Sequence, residues 1–453
     1  MQYTAEVPPL RITQSHSVFY RVYALVVLVL VGICSWSDRQ LFSILIQPIK
    51  HEFGLSDAQL GLLGGTAFGL FYVTVGLPIA WLADRADRRN VISGAIALWS
   101  LMTALSATAT GYLSLFLCRM GVGVGEAGGA APSQSLVSDY FTPRHRAVAM
   151  GVLYSYFPIG YFLSYALGGH LSDVADWRTV FVIFGIPGLL LAVLVRTTIL
   201  EPRNSTERGS RNPAAPSFSS TLRYFFGRRS LRHIPWAGAA HGTGMFAAAV
   251  WMPAYVMRTY HLSAGEAGMR LALVMGVGGL VGTLAGGQIV DRLVTSTGNV
   301  RWYARACTVF LAASIPFTIA VFTTGNLTAA MLLFAVSMTL NHMILGPVVA
   351  TVQNLAGATR RAMGAAFYLL LVNLISSVIG PPLTGALSDF FAARYGADSL
   401  RYSLLILMPT TCAWSALHFY LAGRSLPADL AEAKFTLEDG SSLGAAQLAA
   451  KRH

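Results

Sequence analysis

Along most of this chain, charge is missing for about 20 residues at a time, the length of helix that crosses the hydrocarbon of a bilayer. Such apolar runs fall at 22–49, 58–82, 90–109, 113–138, 146–171, 178–199, 233–257, 266–290, 304–324, 327–353, 361–387 and 401–423. Hydrophobic types make up 54% of the 453 residues and charged types only 11%, against about 25% in a soluble domain. A water-soluble fold of this length would lack the polar side chains to cover its surface. The pattern predicts an all-α membrane protein with twelve transmembrane helices, arranged as two six-helix bundles.

The polar stretches divide the chain. Residues 1–20 read as an N-terminal segment, 21–199 as a first bundle, 200–232 as a linker rich in Arg, Pro, Ser and Asn, 233–424 as a second bundle, and 425–453 as a tail. The formal charge is +12 and nearly all of the cations are Arg, with Lys only at Lys50, Lys434 and Lys451. They sit in short runs between apolar stretches and form no continuous basic face, which argues for orientation charge rather than nucleic-acid binding. Arg85, Arg88 and Arg89 follow the second run, Arg144 and Arg146 the fourth, Arg292, Arg301 and Arg305 the eighth, and Arg360 and Arg361 the tenth. The intervening connections are poorer, with Lys50 in the first and Arg178 in the third. This asymmetry predicts cytoplasmic termini and a cytoplasmic linker, in a bacterial inner (plasma) membrane. No cleavable signal is expected, because residues 1–20 are polar and the first apolar run is too long for one. Cys34, Cys118, Cys307 and Cys412 are scattered within apolar runs, a spacing for neither a metal site nor disulfides.

The halves echo one another. Asp84-Arg85 ends the second run and Asp291-Arg292 the eighth; Arg146-Ala-Val-Ala-Met-Gly151 follows the fourth and Arg361-Ala-Met-Gly364 the tenth. Two similar halves around a polar linker imply alternating access about a midplane cavity. The run Ala80-Trp-Leu-Ala-Asp84-Arg85-Ala-Asp-Arg88-Arg89 resembles the loop signature of the major facilitator superfamily, with Ala80 and Asp87 where that signature has Gly. Within it, the chain resembles the Spinster family through four segments. These are Ser37-Asp38-Arg39, Arg119-Met-Gly-Val-Gly-Val-Gly-Glu126, Ser138-Asp-Tyr-Phe-Thr-Pro143 and Leu200-Glu-Pro-Arg203. The resemblance implies a secondary transporter of lysophospholipids or sphingosine phosphates. It also implies that Asp84 locks the halves at the cytoplasmic rim, with Arg85, Arg88, Arg144, Arg146 and Asp291 as its gating neighbours.

Four charged residues lie deep within apolar runs: Asp38 and Arg39 in the first, Arg119 and Glu126 in the fourth. Uncompensated, they would cost roughly 10–14 kcal/mol together on insertion scales, so they must pair or face water. Arg119 and Glu126 share a helix face about 10 Å apart along the axis, too far for a direct bond unless both side chains converge; Asp38 is available to Arg119 or Arg39. Arg39 and Arg119 suit an anionic head group, since guanidinium stays charged when desolvated and grips phosphate in a bidentate way. Glu126 and Asp38 suit proton carriage, since burial and a neighbouring Arg push a carboxylate's pKa in opposite directions. The plainer alternative is a static ion-pair cluster that only joins the two helices.

The second half offers His241, Asn341, His342, Tyr368 and Asn373, with few charges at depth. Each suits packing, and Tyr368 and Asn373 are the candidates to complete the substrate wall. One charged wall and one apolar wall fit an amphiphile, head on the first half and tail on the second. Gly121, Gly125 and Gly129 recur every four residues inside an apolar run and signal close helix contact rather than a nucleotide loop. No phosphate-binding motif, metal cluster or nucleophile–base set is evident. The expectation is therefore a monomeric carrier, not an enzyme, with no cofactor and with substrate and protons as its partners. A carrier of soluble organic anions or drugs on the same fold is the alternative. Glu126→Gln is expected to abolish pH-dependent transport in reconstituted vesicles while expression stays normal; unchanged proton coupling would remove Glu126 from the mechanism.

Overall fold

The computed structural model describes residues 17–202 and 218–450, which are helical almost throughout. Lipid offers no hydrogen bonds to a peptide group, so each crossing must satisfy its own backbone. Span 1 is Val18–Ile44, continued by Ile46–Phe53. Span 2 is Asp57–Gly64 and Thr66–Arg85, span 3 Arg88–Leu105, and span 4 Tyr112–Glu126 followed by Ala130–Tyr140. Span 5 runs in pieces from Pro143–Tyr154 to Gly168–Val174 with a π-helical turn at Leu163–Leu167, and span 6 is Trp177–Thr198. Span 7 is Arg229–Tyr260, span 8 Ala264–Thr297 and span 9 Trp302–Thr323. Span 10 covers Leu327–Gly357. Span 11 is the remainder of the helix Leu345–Tyr395, beyond the non-helical Gly357 (φ 70°, ψ 172°). Span 12 opens the helix Ser399–Ala450.

Among the described residues, nine stretches are long and apolar enough to cross a bilayer on those grounds alone. One of them, Met363–Ala433, holds two crossings on either side of the turn Gly396–Asp398. Spans 4 and 7 are the remaining crossings. The first is broken near its centre and carries Arg119 and Glu126; the second is rich in Ala, Gly and His. Twelve crossings result. Two features differ from the sequence expectation. A helix, Phe218–Gly227, lies inside the segment read as linker, held by Phe225, which is buried and meets the Phe367 ring edge-on at 5.4 Å. The helix of span 12 runs on past residue 425, where the tail was expected to begin, with Leu426 and Ala433 buried.

The halves join along spans 2 and 11 and along spans 5 and 8. Gly61, Gly65 and Gly69 recur every four residues on span 2 and bring it against Pro381 and Ser377 of span 11; a Cβ on Gly61 would lie 2.8 Å from Pro382 Cα. Gly268 of span 8 sits against the Tyr165 carbonyl in the same way. Small residues allow this backbone approach, the main source of helix association where lipid is as apolar as the side chains.

A polar seam closes one end of this interface. The Asp57 carboxylate accepts two hydrogen bonds from Arg258 of span 7, at 2.7 and 2.8 Å, one from Ser388 of span 11 at 2.6 Å, and one from Lys50. Asp389 in turn accepts the backbone N–H groups of Asp57 (2.9 Å) and Ala58 (2.8 Å), so the second half caps a helix of the first. Asp173 of span 5 accepts from Ser263 Oγ at 2.6 Å and from the Gly265 N–H at 3.0 Å. Nearby, Glu52 binds Trp177 Nε1 (2.7 Å) and Arg178 (2.6 Å), and the Arg178 hydrogen bond holds its carboxyl below the usual carboxylate range. At the opposite end, Arg85, Arg144, Arg146 and Asp291 are exposed. Ion-paired and charge-assisted contacts between the halves thus gather on the Asp57 side.

Asp57 is 3% exposed and Arg258 14%. Removing one partner of an enclosed pair costs about 3–5 kcal/mol. Asp57→Ala should therefore lower the thermal midpoint by several degrees. It should also raise labelling by a membrane-impermeant thiol reagent of an Ala264→Cys reporter, which is buried where span 8 meets span 5; unchanged labelling would mean that the seam does not hold this side shut.

Candidate functional site

Ser35 and Arg39 are four residues apart on span 1, so they share a helix face, and that face meets Glu126 at the end of the first segment of span 4. Glu126 Oε2 accepts from Arg39 Nη2 at 2.6 Å, Arg39 Nε at 3.1 Å and Ser35 Oγ at 3.0 Å. Gly125 permits this depth, because a Cβ there would lie 2.7 Å from the Trp99 backbone nitrogen of span 3. The guanidinium of Arg39 lies over three rings, Phe68 at 4.4 Å, Tyr72 at 4.8 Å and Trp36 at 4.9 Å. Phe68 and Tyr72 are stacked on one another on span 2. The carboxylate of Glu126 is enclosed, at 0% exposure, whereas Arg39 keeps 14%.

Arg119 is buried one helix turn and more below this pair. Its Nε donates to the Leu63 carbonyl at 3.4 Å, beside the helix break at Gly65, and its guanidinium lies 5.1 Å from the Phe42 ring and 5.6 Å from that of Phe68. Asp38 is rotated away from Arg39 and accepts from Thr103 Oγ1 of span 3 at 3.3 Å. Asp38 Oδ1 and Glu126 Oε1 are both buried without a hydrogen-bond partner. Buried carboxylate oxygens rarely go unpaired. The cluster therefore holds two acceptor positions that a proton or a donor can fill.

The geometry answers the sequence expectations one by one. Asp38, Arg39, Arg119 and Glu126 do converge. The partnership is Arg39 with Glu126, and Asp38 joins Thr103 in place of either Arg. Three of the four are buried rather than open to a cavity; Arg39 is the member that keeps access. Tyr368 packs against Gly238 inside the second bundle, among Phe225, Leu231 and Ile234, so its hydroxyl serves packing there. Asn373 donates to the Leu369 carbonyl of its own helix at 2.7 Å. Neither joins the charged cluster.

The expected gate also resolves differently. Arg88 is buried and stays within the first half, bonded to Glu201 at 2.5 Å, Asp139 at 2.7 Å and Ser135 at 2.8 Å. Arg85 donates to Trp81 of its own helix at 3.2 Å. The Asp84 side chain lies outside the described residues. Among the described residues, the charged bridge between the halves is the Asp57 seam at the other end. Sequence reasoning missed Ser35, the aromatic cage of Phe68 and Tyr72, and the Asp57–Arg258 pair. The spacing of four in Ser35/Arg39 and in Phe68/Tyr72 was the available signal for the first two.

Residues 28–381 match the Major Facilitator Superfamily. The chain belongs to the major facilitator superfamily. This facilitator is 31% identical over 412 residues to an MFS-type efflux pump of Mycolicibacterium smegmatis, covering 90% of this chain and 93% of that protein. It is 28% identical over 413 residues to protein spinster homolog 1 of Xenopus laevis, covering 85% of this chain and 77% of that protein. It is also 26% identical over 388 residues to the hexuronate transporter of Bacillus subtilis, covering 84% and 90%. Among solved structures it is similar to a bacterial homologue of the human lysosomal transporter Spinster in an inward-facing, unoccupied conformation. That match has a TM-score of 0.81 and 27% identity, over 91% of this chain and 99% of the other. The facilitator is thus a multi-pass membrane transporter of Spinster-like kind, and not an enzyme.

Arg39→Ala would leave Glu126 enclosed with no bonded cation, at a cost of about 3–5 kcal/mol. A thermal melt should show the loss, and adding Glu126→Gln should recover part of it. Simple additivity of the two changes would show that the pair is not energetically coupled.

Proposed function

We propose that this facilitator moves an amphiphilic, lipid-like anion of the lysophospholipid or sphingosine-phosphate type by alternating access, coupled to protons. The observation that carries the proposal is the enclosed Glu126–Arg39 pair, whose cation keeps access and sits in an aromatic cage while the carboxylate does not. Protonation of Glu126 discharges its hold on Arg39. The freed guanidinium then takes the anionic head group in a bidentate grip, with Arg119 behind it adding positive potential. Asp38, with an unpartnered oxygen beside the cluster, is the second proton position. Release of the head group lets Glu126 ionise and rejoin Arg39. The tail lies against the less charged second half. The Spinster relatives support this reading.

Orientation follows from charge. The side bearing Arg85, Arg144, Arg146 and Arg292 is the basic one, so we assign it, the linker and both termini to the cytoplasm of a bacterial inner membrane. The Asp57 seam is then the outer gate, closed here. Closure of the cytoplasmic side brings Asp84, Arg85, Arg144, Arg146 and Asp291 toward the interface, while Arg88 braces the first half. The carrier works as a monomer, since each monomer of this fold contains both halves of one pathway.

A second reading, transport of soluble organic anions or drugs, is favoured by the efflux-pump and hexuronate-transporter relatives. Purified protein in liposomes separates the two. Labelled lysophospholipid, sphingosine phosphate and a hexuronate should be compared with and without a pH gradient. Gradient-stimulated flux that rises with chain length supports the lipid reading. Flux of the hexuronate with none of the long-chain lipids, or equal flux of short-chain and long-chain analogues, overturns it.

A further inference from the structure

On the linker side of the second half, spans 7 and 12 leave a groove of about 710 Å³ between them. Arg229, Arg232 and His233 of span 7 line one wall, at the spacing of three and four that places them on one helix face. Arg424 of span 12 lines the other, and Asp429 and Glu432 stand at its end. The acidic groups are already engaged. Asp429 is buried and accepts the Ser230 N–H at 2.7 Å, its carbonyl accepts from Arg228, and Arg228 also reaches Glu432 at 3.7 Å. Among the described residues, Arg229, Arg232 and Arg424 have no carboxylate within ion-pair distance, and all three are exposed.

One to three turns deeper on the same two helices lies an apolar strip, with Trp236 four residues beyond Arg232 and Leu417 four before Leu421. Trp236 of span 7 and Trp414, Leu417 and Tyr420 of span 12 are exposed. Trp414 stacks on His418, whose ring in turn faces His233, with the two Nδ1 atoms 3.3 Å apart. A basic pocket between the start of span 7 and the linker-side part of span 12, beside exposed tryptophans, is the kind of surface that meets the headgroup region and the upper acyl chains of a leaflet.

We propose that this groove binds the headgroup of an anionic phospholipid from the leaflet on the linker side. Its phosphate lies between Arg232 and Arg424 with Arg229 beside them, and its acyl chains lie along Trp236, Trp414 and Leu417. The site is on the outer face of the second half, apart from the Arg39–Glu126 pair in the first, and it does not depend on which substrate is carried. The shared chemistry is a phosphate anion, which a lipid or free phosphate can supply, and the lipid is favoured because the apolar strip adjoins the cations.

Native mass spectrometry of the full chain in detergent tests this, with phosphatidylglycerol, phosphatidylcholine or inorganic phosphate as the added probe. Wild type should retain phosphatidylglycerol in preference to phosphatidylcholine. Arg232→Gln/Arg424→Gln should weaken that binding about 30-fold, the loss expected for two cations at an anionic leaflet. Glu126→Gln should leave it unchanged, which keeps this test independent of the transport reading. Equal retention of the two lipids by wild type, an unchanged preference in the double variant, or displacement of phosphatidylglycerol by equimolar inorganic phosphate would each overturn the proposal. A second measurement needs no variant: phosphatidylglycerol should raise the thermal midpoint of wild type, and added salt should shrink the rise. A rise of the same size with phosphatidylcholine would count against the site.

Discussion

An ion pair inside a bilayer has nowhere else to go. Once Arg39 and Glu126 are within the hydrocarbon, neither can separate without meeting a new partner or losing its charge. That constraint organises the first half. Span 1 must present Ser35 and Arg39 on one face, span 4 must be glycine-rich to let Glu126 approach span 3, and span 2 must contribute the rings that cover the guanidinium. A structural pair would be better made of apolar side chains, which pack without a desolvation cost. On the transport reading proposed above, the pair is retained because it is exchanged during the cycle.

Among the described residues, the spans of the second half hold no such buried pair, and several of their polar groups bond locally. Asn341 bonds the Ser337 carbonyl at 2.9 Å and receives Cys412 Sγ at 3.4 Å, while Thr318 meets Ser337 at 2.7 Å. The first of these lies within span 10, and the other two join neighbouring helices of one bundle. On the proposed transport reading, the first half changes its internal bonding during the cycle and the second serves as a steady wall. Rocking of one against the other then needs only the interface of small residues on spans 2, 5, 8 and 11 to slide.

How much of this was legible beforehand varied with the physics involved. Twelve crossings could be read because hydrophobic length is a property of each segment alone. The four buried charges could be found because any ion in an apolar run is conspicuous. Their pairing could not, since Asp38 and Arg39 are adjacent in sequence yet point to different helices, and which one meets Glu126 depends on the rotation of span 1. Helix Phe218–Gly227 was hidden because its serines and arginine resemble linker composition, while Phe225, which anchors it, is a single residue. Arg258 and Asp389 escaped notice for a different reason. Charges near the end of a span look like ordinary interfacial anchors, and nothing in the sequence brings them to Asp57. The superfamily resemblance makes Arg88 a gating neighbour of Asp84, whereas its partners Glu201 and Asp139 lie within the same bundle.

The bonds from Asp389 to the Asp57 and Ala58 amides make one bundle responsible for finishing a helix of the other. When the bundles part at that end, the helix loses its borrowed acceptor and presents bare amides, a loss on the order of 1 kcal/mol for a single cap. The molecule consequently has a built-in resting posture. Any movement that opens that end must recover the difference in contacts made elsewhere.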